Sequence, residues 1–223
     1  MIRLAVLDMA GTTVTDGGAV EAAFFEALAE VGVSEDDPAL VHYLERVQAT
    51  MGMSKIVVFR HLFEGAELAH RANAAFENAY SRRVGTGQVT AIPGAEESIV
   101  RLRRQGVRVC LVTGFSPATQ TALIDHLGWA DLVDLALAPG KTCRGRPHPD
   151  LVLTALMALQ LDDVREVAVA GDTVNDLVAG HRAGATVVAG VLSGAHDRDQ
   201  LAAAPHTHLL ESVTDLPSVL EER

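Results

Sequence analysis

Six apolar runs along the chain have the pattern of buried β-strands. Four of them are nearly continuous in Val, Leu, Ile and Ala: residues 2–7 (IRLAVL), 107–112 (VRVCLV), 167–170 (VAVA) and 186–189 (TVVA). Two weaker candidates lie at residues 132–137 and 208–210. Continuous apolar runs are typical of a parallel sheet that is covered by helices on both faces.

Helical periodicity separates these runs. It predicts four helices, at residues 95–105, 116–127, 150–159 and 174–183. The first stops at Gly106, a common C-terminal cap, and the second begins with Ser116-Pro117, a favourable helix start. Strands that alternate with helices predict an α/β fold with a doubly wound, Rossmann-like parallel sheet.

One stretch interrupts the alternation. From about residue 19 to residue 84 the apolar positions follow helical spacing, and no convincing strand occurs. Its edges, Asp16-Gly17-Gly18 and Gly85-Thr86-Gly87, have the composition of hinges. We therefore predict an α/β core at residues 1–15 and 89–223 and a small helical cap domain at residues 16–88. A mobile cap beside the first strand suits an enzyme that must exclude water.

Bulk composition narrows the classes of function. The chain has 223 residues, of which 48% are hydrophobic, enough for a large core and against disorder. Its formal net charge of -11 argues against a nucleic-acid surface, which needs a basic stripe. An anionic substrate would need a local binding site that overcomes the negative electrostatic potential of the whole protein.

Cysteine usage and the N-terminal residues indicate where the protein works. Cys110 and Cys143 form no CxxC pair, so we expect free thiols in a reducing cytosol. The first residues read as a strand without a basic region or a long apolar stretch, so we expect no signal peptide and no membrane span. We expect a cytoplasmic protein with a small-molecule partner and with no nucleic-acid or membrane partner. A homodimer stays open.

Two strand ends carry residues suited to phosphate chemistry. Asp8 ends the first strand, and Gly11 and Thr12 follow as in a loop that holds a phosphate. Thr113-Gly114 ends another strand in the same manner. Ligands bind outside the carboxyl ends of strands in open parallel sheets. Taken alone, each signal has a structural alternative: a turn or cap aspartate, and a common Thr-Gly turn.

The segment GDTVNDLVAG, residues 171–180, adds two carboxylates. Asp172 ends a strand, and Asp176 lies four residues later in the first turn of the next helix, near the positive end of the helix dipole. Clustered carboxylates repel one another unless a cation lies between them, and hard oxygen ligands favour Mg²⁺. Helix capping by Asp172 alone is the alternative.

A basic residue in GRPHP, residues 145–149, completes the set. Arg146 would neutralise charge that develops on a phosphoryl group beside a carboxylate nucleophile. A solvated arginine is the alternative, and Lys141 and Arg144 are competitors for the same role.

In this order the four segments resemble those of the haloacid dehalogenase superfamily, over residues 1 to about 15 and from about 89 onward. The resemblance implies that Asp8 attacks phosphorus and forms an aspartyl-phosphate, which water then cleaves. It also implies an Mg²⁺ site and a set of substrate contacts. The metal ligands would be Asp8, the carbonyl of Ala10, Asp172 and Asp176, and the phosphate contacts would be Thr12, Thr113, Gly114 and Arg146.

Ala10 departs from the phosphatases of that superfamily, which place a second acid there to protonate an alkoxide leaving group. Phosphonatase, which cleaves the carbon–phosphorus bond of phosphonoacetaldehyde, does not need this acid. A lysine imine withdraws electrons there, and carbon leaves as an enamine. The segment MGMSK, residues 51–55, resembles the Met-Gly-x-x-Lys motif of phosphonatase and offers Lys55 as the imine former, with Met51, Gly52 and Phe115 as substrate contacts.

Lys55 is the only lysine of the predicted cap, and residues 56–59 after it are apolar. Partial desolvation would lower the pKa of its amine and leave some of it free to attack a carbonyl. A surface lysine on an amphipathic helix is the alternative.

Two positions depart from phosphonatase: Val58 replaces its histidine, and Phe115 replaces its tyrosine. These apolar residues predict a larger or less polar substrate than phosphonoacetaldehyde. Arg146 agrees with phosphonatase, since a lysine there could itself react with an aldehyde. We predict an Mg²⁺-dependent hydrolase of a 2-oxoalkylphosphonate. The alternatives are a phosphomonoesterase of the same superfamily and a non-catalytic protein that binds a phosphorylated ligand.

Overall fold

The computed structural model describes residues 1–15, 17–34 and 36–221. Asp16, the first residue of the predicted cap, and residues 222–223, the last of the predicted core, lie outside this range. Eight strands occur among the described residues: β1 (Leu4–Asp8), β2 (Val14–Thr15), β3 (Thr90–Ala91), β4 (Arg108–Val112), β5 (Leu135–Leu137), β6 (Val167–Gly171), β7 (Val187–Val191) and β8 (His208–Leu210).

Six of these strands form one parallel sheet in the order β5-β4-β1-β6-β7-β8. β1 is central and fully buried, as its unbroken apolar run requires. Its neighbours β4 and β6 therefore end beside it, at the same edge of the sheet. The predicted doubly wound α/β fold is confirmed. The largest error in a predicted strand is at residues 132–137, where only the last three residues pair.

Helices join and cover these strands. They are α1 (Ala19–Glu30), α2 (Leu40–Ala49), α3 (Lys55–Leu62), α4 (Ala66–Gly85), α5 (Ala95–Arg104), α6 (Pro117–Leu127), α7 (Asp150–Ala158), α8 (Val174–Ala183), α9 (Arg198–Ala202) and α10 (Leu216–Glu221). The short helices α9 and α10 were not predicted from the sequence. None of the described helices is both long and apolar enough to cross a lipid bilayer.

The four inserted helices, α1 to α4, occupy the stretch where the sequence shows helical spacing and no strand. The chain leaves the sheet through β2 and returns through β3, and these two strands pair antiparallel. Gly18 has a left-handed backbone at the start of α1, which agrees with a glycine-rich edge at this junction. The division into a core domain and a mobile cap domain stays a prediction.

An aromatic cluster packs the inserted helices against the sheet. Phe24 of α1 lies 4.7 Å from Phe76 of α4, measured between ring centroids. Tyr80 of α4 lies 4.3 Å from Phe115, which follows β4. Aromatic pairs at such distances contribute about 0.5–1.5 kcal/mol each beyond their buried area. The cluster thus ties the inserted helices to a loop at the carboxyl edge of the sheet.

Candidate active site

The loop after β1 fixes the position of Asp8. The backbone N–H groups of Thr12 and Thr13 donate to the Met9 carbonyl at 3.1 and 2.9 Å, and the Thr13 hydroxyl donates to the Asp8 carbonyl at 2.9 Å. Gly11 has a φ of 85°, and a Cβ there would lie 2.3 Å from Asp172 Oδ2. This tight turn therefore needs glycine, which lets the loop after Asp8 approach Asp172 closely.

Three buried carboxylates meet at this edge of the sheet. One oxygen from each of Asp8, Asp172 and Asp176 lies within 4.8 Å of the others. Asp172 accepts from the Thr12 hydroxyl at 3.2 Å and from the Ala195 N–H at 2.7 Å. Helix capping by Asp172 is wrong, because Thr173 occupies the N-cap of α8 and pairs with Asp176.

Arg146 is buried among these acids. Its Nη1 donates to Asp8 Oδ1 at 2.5 Å and also to Asp176 Oδ1. The solvated-arginine alternative is therefore wrong. The competitors do not reach this position: Arg144 is paired with Asp150 at 2.8 Å, and Lys141 is exposed.

Burial disfavours the charged forms of the clustered carboxylates. Desolvation raises the pKa of Asp8 well above its ordinary value, and the charges of Asp176 and Asp172 add to this effect while Arg146 opposes it. Desolvation, followed by the charge of Asp176, raises the pKa of Asp172 to about 6. One guanidinium among three carboxylates leaves two formal negative charges, which a divalent cation would balance. The oxygen donors fit Mg²⁺.

The Thr113-Gly114 turn contacts the inserted helices. The backbone N–H of Lys55 donates to the Gly114 carbonyl at 3.1 Å. A Cβ on Gly114 would lie 2.4 Å from the Met53 carbonyl oxygen, so any larger residue would push the two segments apart. Gly114 therefore allows residues 51–55 to pack closely against the turn.

Lys55 begins α3 and is only 6% exposed. Its Nζ lies 5.4, 5.7 and 5.5 Å from the ring centroids of Phe24, Phe76 and Phe115, respectively. The surface-lysine alternative is therefore wrong. The faces of these rings attract a cation at the position of the amine.

The segment before Lys55 is fixed by core residues. The Asn175 side-chain amide donates to the Met51 carbonyl at 2.6 Å. A Cβ on Gly52 would lie 2.3 Å from Thr173 Oγ1. The Met-Gly-x-x-Lys segment thus lies directly on the loop that carries Asp172.

A cavity of about 340 Å³ lies between this segment and the sheet edge. Most of the predicted site residues line it: Asp8, Ala10, Met51, Gly52, Lys55, Thr113, Gly114, Phe115, Arg146 and Asp172. Two predicted residues are not among the described lining residues. Thr12 directs its hydroxyl to Asp172, and Asp176 accepts from Arg146 and Thr173. Both support the cluster from outside the cavity.

The prediction that Val58 changes the polarity of the substrate site needs a correction. Val58 is 1% exposed and belongs to the hydrophobic core, not to the described cavity lining. Phe115 alone of the two apolar replacements therefore faces the cavity. Its ring also lies beside the Lys55 amine, and its contact with substrate stays a prediction.

Sequence reasoning missed the loop at residues 193–195, which closes over the acid cluster. The Ser193 hydroxyl donates to the Gly11 carbonyl at 2.8 Å, and the Ala195 N–H donates to Asp172. A Cβ on Gly194 would lie 2.0 Å from Asp172 Oδ2. The signal was available, because Ser-Gly-Ala follows a buried strand at the same sheet edge.

Glu77 of α4 was also missed. Its carboxylate accepts from the Ser116 backbone N–H at 3.2 Å, from the Ser116 hydroxyl at 2.8 Å and from the Thr119 hydroxyl. It therefore caps α6 from another helix, where the helix dipole favours negative charge. This contact holds α4 beside Phe115, and no local sequence pattern marks it.

Comparisons with known proteins agree with this geometry. A family model described as haloacid dehalogenase-like hydrolase matches residues 2–184. A phosphonoacetaldehyde hydrolase of Pseudomonas fluorescens is 29% identical, over 99% of this chain and 92% of its own. The "probable phosphatase IndB" of Dickeya dadantii is 27% identical, over 97% and 92%. A solved hydrolase from Pseudomonas syringae is 26% identical, with a TM-score of 0.84 over 99% and 98%.

Proposed function

This chain belongs to the haloacid dehalogenase-like hydrolase family, and we propose that within it the chain hydrolyses the carbon–phosphorus bond of a 2-oxoalkylphosphonate. One observation carries the proposal: the Lys55 amine and the Asp8 carboxylate belong to the same cavity, which contains an alanine at position 10. The similarity to a phosphonoacetaldehyde hydrolase supports it.

Lys55 prepares the carbon leaving group. Its neutral amine attacks the substrate carbonyl, and loss of water together with uptake of one proton from solvent leaves a protonated imine whose carbon lies two bonds from phosphorus. The surrounding rings of Phe24, Phe76 and Phe115 exclude water and face the resulting cation, which they attract. The imine serves as the electron sink that a plain alkylphosphonate lacks.

Asp8 acts as the nucleophile. Because Arg146 donates to Oδ1, we assign Oδ2 to the attack on phosphorus. The new oxygen–phosphorus bond forms as the carbon–phosphorus bond breaks, and the released electron pair enters the imine to give an enamine. Water then cleaves the aspartyl-phosphate, while protonation at carbon and hydrolysis of the imine release the carbonyl product and regenerate Lys55.

The phosphonate charge needs partners at the sheet edge. We assign its oxygens to Arg146, the Thr113 hydroxyl and the turn at Gly114, all of which line the cavity. Asp8, Asp172, Asp176 and the Ala10 carbonyl would hold Mg²⁺, which supplies positive charge to the phosphoryl group when bound. Thr12 and Ala195 hold Asp172 in place through the two hydrogen bonds to its carboxylate.

Ala10→Asp is expected to slow carbon–phosphorus cleavage by about tenfold or more. The enamine takes no proton from position 10, and a fourth carboxylate would repel both the phosphonate and the existing acids. Hydrolysis of an alkyl phosphate should rise, because an alkoxide leaving group uses an acid. The kcat/KM values of both reactions, compared with those of Ala10→Asn, check this. A faster native reaction in Ala10→Asp would contradict the role given to the alanine.

Metal removal is expected to abolish turnover and to lower the melting temperature, by more at about pH 7.5 than at about pH 5.5. Burial raises the pKa of Asp172 from 3.8 to about 6, so the folded, metal-free protein binds more protons than the unfolded chain. The free energy of unfolding of the metal-free protein therefore falls as the pH rises from 3.8 to about 6, and the full loss of stability persists above that pH. A bound cation removes that penalty.

Melting curves with Mg²⁺ and with chelator at the two pH values measure the difference, and Asp172→Asn should reduce its pH dependence. Equal stabilisation by Mg²⁺ at both pH values, or turnover that is indifferent to chelator, would count against the metal site.

Phosphomonoester hydrolysis is the second candidate, favoured by the similarity to a protein named as a phosphatase. The core residues suit both reactions, so substrates must separate them. Phosphate release from a panel of 2-oxoalkylphosphonates and small phosphate esters provides the test. The proposal expects the highest kcat/KM on a carbonyl phosphonate; a preference for an ester would favour the phosphatase.

A further inference from the structure

We propose that Glu21 selects the substrate by the charge at the end of the substrate that is farthest from phosphorus. The preferred substrate ends, beyond its carbonyl group, in an uncharged or cationic group. Compounds that end in a carboxylate are excluded. This inference rests on the proposed function for the identity of the carbonyl. The charge selection itself concerns the cavity and can be measured without turnover.

The charged side chains that line the cavity can be assigned to different parts of the substrate. Five charged residues occur among its described lining residues: Asp8, Asp172, Arg146, Lys55 and Glu21. The first three form the phosphonate end, and Lys55 is assigned to the carbonyl. Only Glu21 remains for the rest of the substrate, so the described cavity offers no further cation to a carboxylate.

Glu21 is an exposed residue in the first turn of α1, and Gln48, another exposed lining residue, lies in α2. An acid and an amide thus border the cavity where the inserted helices meet solvent. A cationic or hydrogen-bonding group would be accepted there, and a second anion would be repelled. The net charge of the whole chain, -11, acts in the same direction.

The ion pairs of α1 argue that Glu21 is not needed for packing. Glu26 pairs with Arg82 and Arg83, and Glu30 pairs with Arg71, which joins α1 to α4. No salt bridge among the described residues includes Glu21. Its remaining structural effect is a favourable charge near the N-terminus of α1. Glu67 has this same effect in the first turn of α4, is exposed and does not belong to the described lining, so it provides a matched control.

The test uses three phosphonates of similar size that lack a carbonyl and extend beyond the position of Lys55: pentylphosphonate, 5-phosphonopentanoate and 4-aminobutylphosphonate. They end in methyl, carboxylate and ammonium groups. Dissociation constants are measured by isothermal titration calorimetry on Mg²⁺-loaded protein. At low salt the carboxylate compound should bind about fivefold or more weakly than the methyl compound, and the ammonium compound at least as tightly. Raising the salt to about 0.5 M should shrink the differences, as screening requires.

Glu21→Gln should bring the carboxylate and methyl compounds to within about twofold of each other, whereas Glu67→Gln should keep the native ratio. Equal affinities in the native protein, an unchanged ratio in Glu21→Gln, or no binding of the methyl compound would overturn the inference. The outcome is separate from the proposed reaction. If no carbonyl phosphonate is cleaved but the binding ratios follow this pattern, the reaction is wrong and the charge selection stands.

Discussion

Asp8→Asn is expected to lower kcat by about 10⁴-fold or more on every substrate, because no other described carboxylate of the cluster ends the central strand beside Arg146. The amide retains the shape of the side chain but cannot form the acyl-phosphate. Incubation with substrate and rapid acid quench should show a phosphorylated protein for the native chain and none for the variant. Near-native turnover in Asp8→Asn would remove the aspartyl-phosphate mechanism.

Folding provides an internal control for that result. Burial and the neighbouring acids raise the pKa of Asp8, which means that its charged form is disfavoured in the metal-free protein. Removing the charge should therefore leave the melting temperature of the metal-free variant unchanged or higher. A loss of turnover with retained stability would then report on chemistry, and the exposed Asp125→Asn serves as the matched substitution.

Lys55→Arg is expected to reduce carbon–phosphorus cleavage by about 10³-fold or more, while hydrolysis of an aryl phosphate changes by about tenfold or less. Arginine retains a cation in the aromatic surroundings but does not readily condense with a carbonyl, so the carbon leaving group has no electron sink. Aryl phosphate needs only the residues of the sheet edge, since its leaving group is stable without a proton. The ratio of the two kcat values is the measurement.

The chain supplies its own control for this substitution. Its only other lysine, Lys141, is exposed and outside the described cavity lining. Lys141→Arg should retain both activities. An equal loss of both reactions in Lys55→Arg would indicate damage to the fold, and retained carbon–phosphorus cleavage would reduce Lys55 to a phosphate-binding cation.

The elements of the sheet could be predicted because burial on both faces leaves an unbroken apolar run. The position of the site followed from the same pattern, since Asp8, Thr113 and Asp172 lie at the carboxyl ends of runs predicted to be parallel strands, and these ends share one edge of the sheet. The cluster of three acids with Arg146 is the geometric consequence of that topology. The order of the strands, the short strands β2 and β3 and the length of the weak run at residues 132–137 had to come from the structure.

Contacts between distant segments could not be predicted in this way. The apolar surroundings of Lys55 were expected from residues 56–59, but its rings come from positions 24, 76 and 115. Glu77 caps a helix that begins 40 residues later, a relation that no periodicity records. Val58 lies one helical turn after Lys55, yet it belongs to the hydrophobic core and not to the described cavity lining, a distinction that the sequence motif does not record.

The central claim, that Lys55 forms an imine with the substrate carbonyl, can be measured directly. Borohydride added during turnover of a 2-oxoalkylphosphonate reduces an imine to a stable secondary amine, and peptide mass spectrometry locates it. With two lysines in the chain the assignment is unambiguous. The account predicts an adduct on the peptide that contains Lys55, dependent on substrate, absent in Lys55→Arg and absent from Lys141. Carbon–phosphorus cleavage with no such adduct, or an adduct on Lys141, would contradict it.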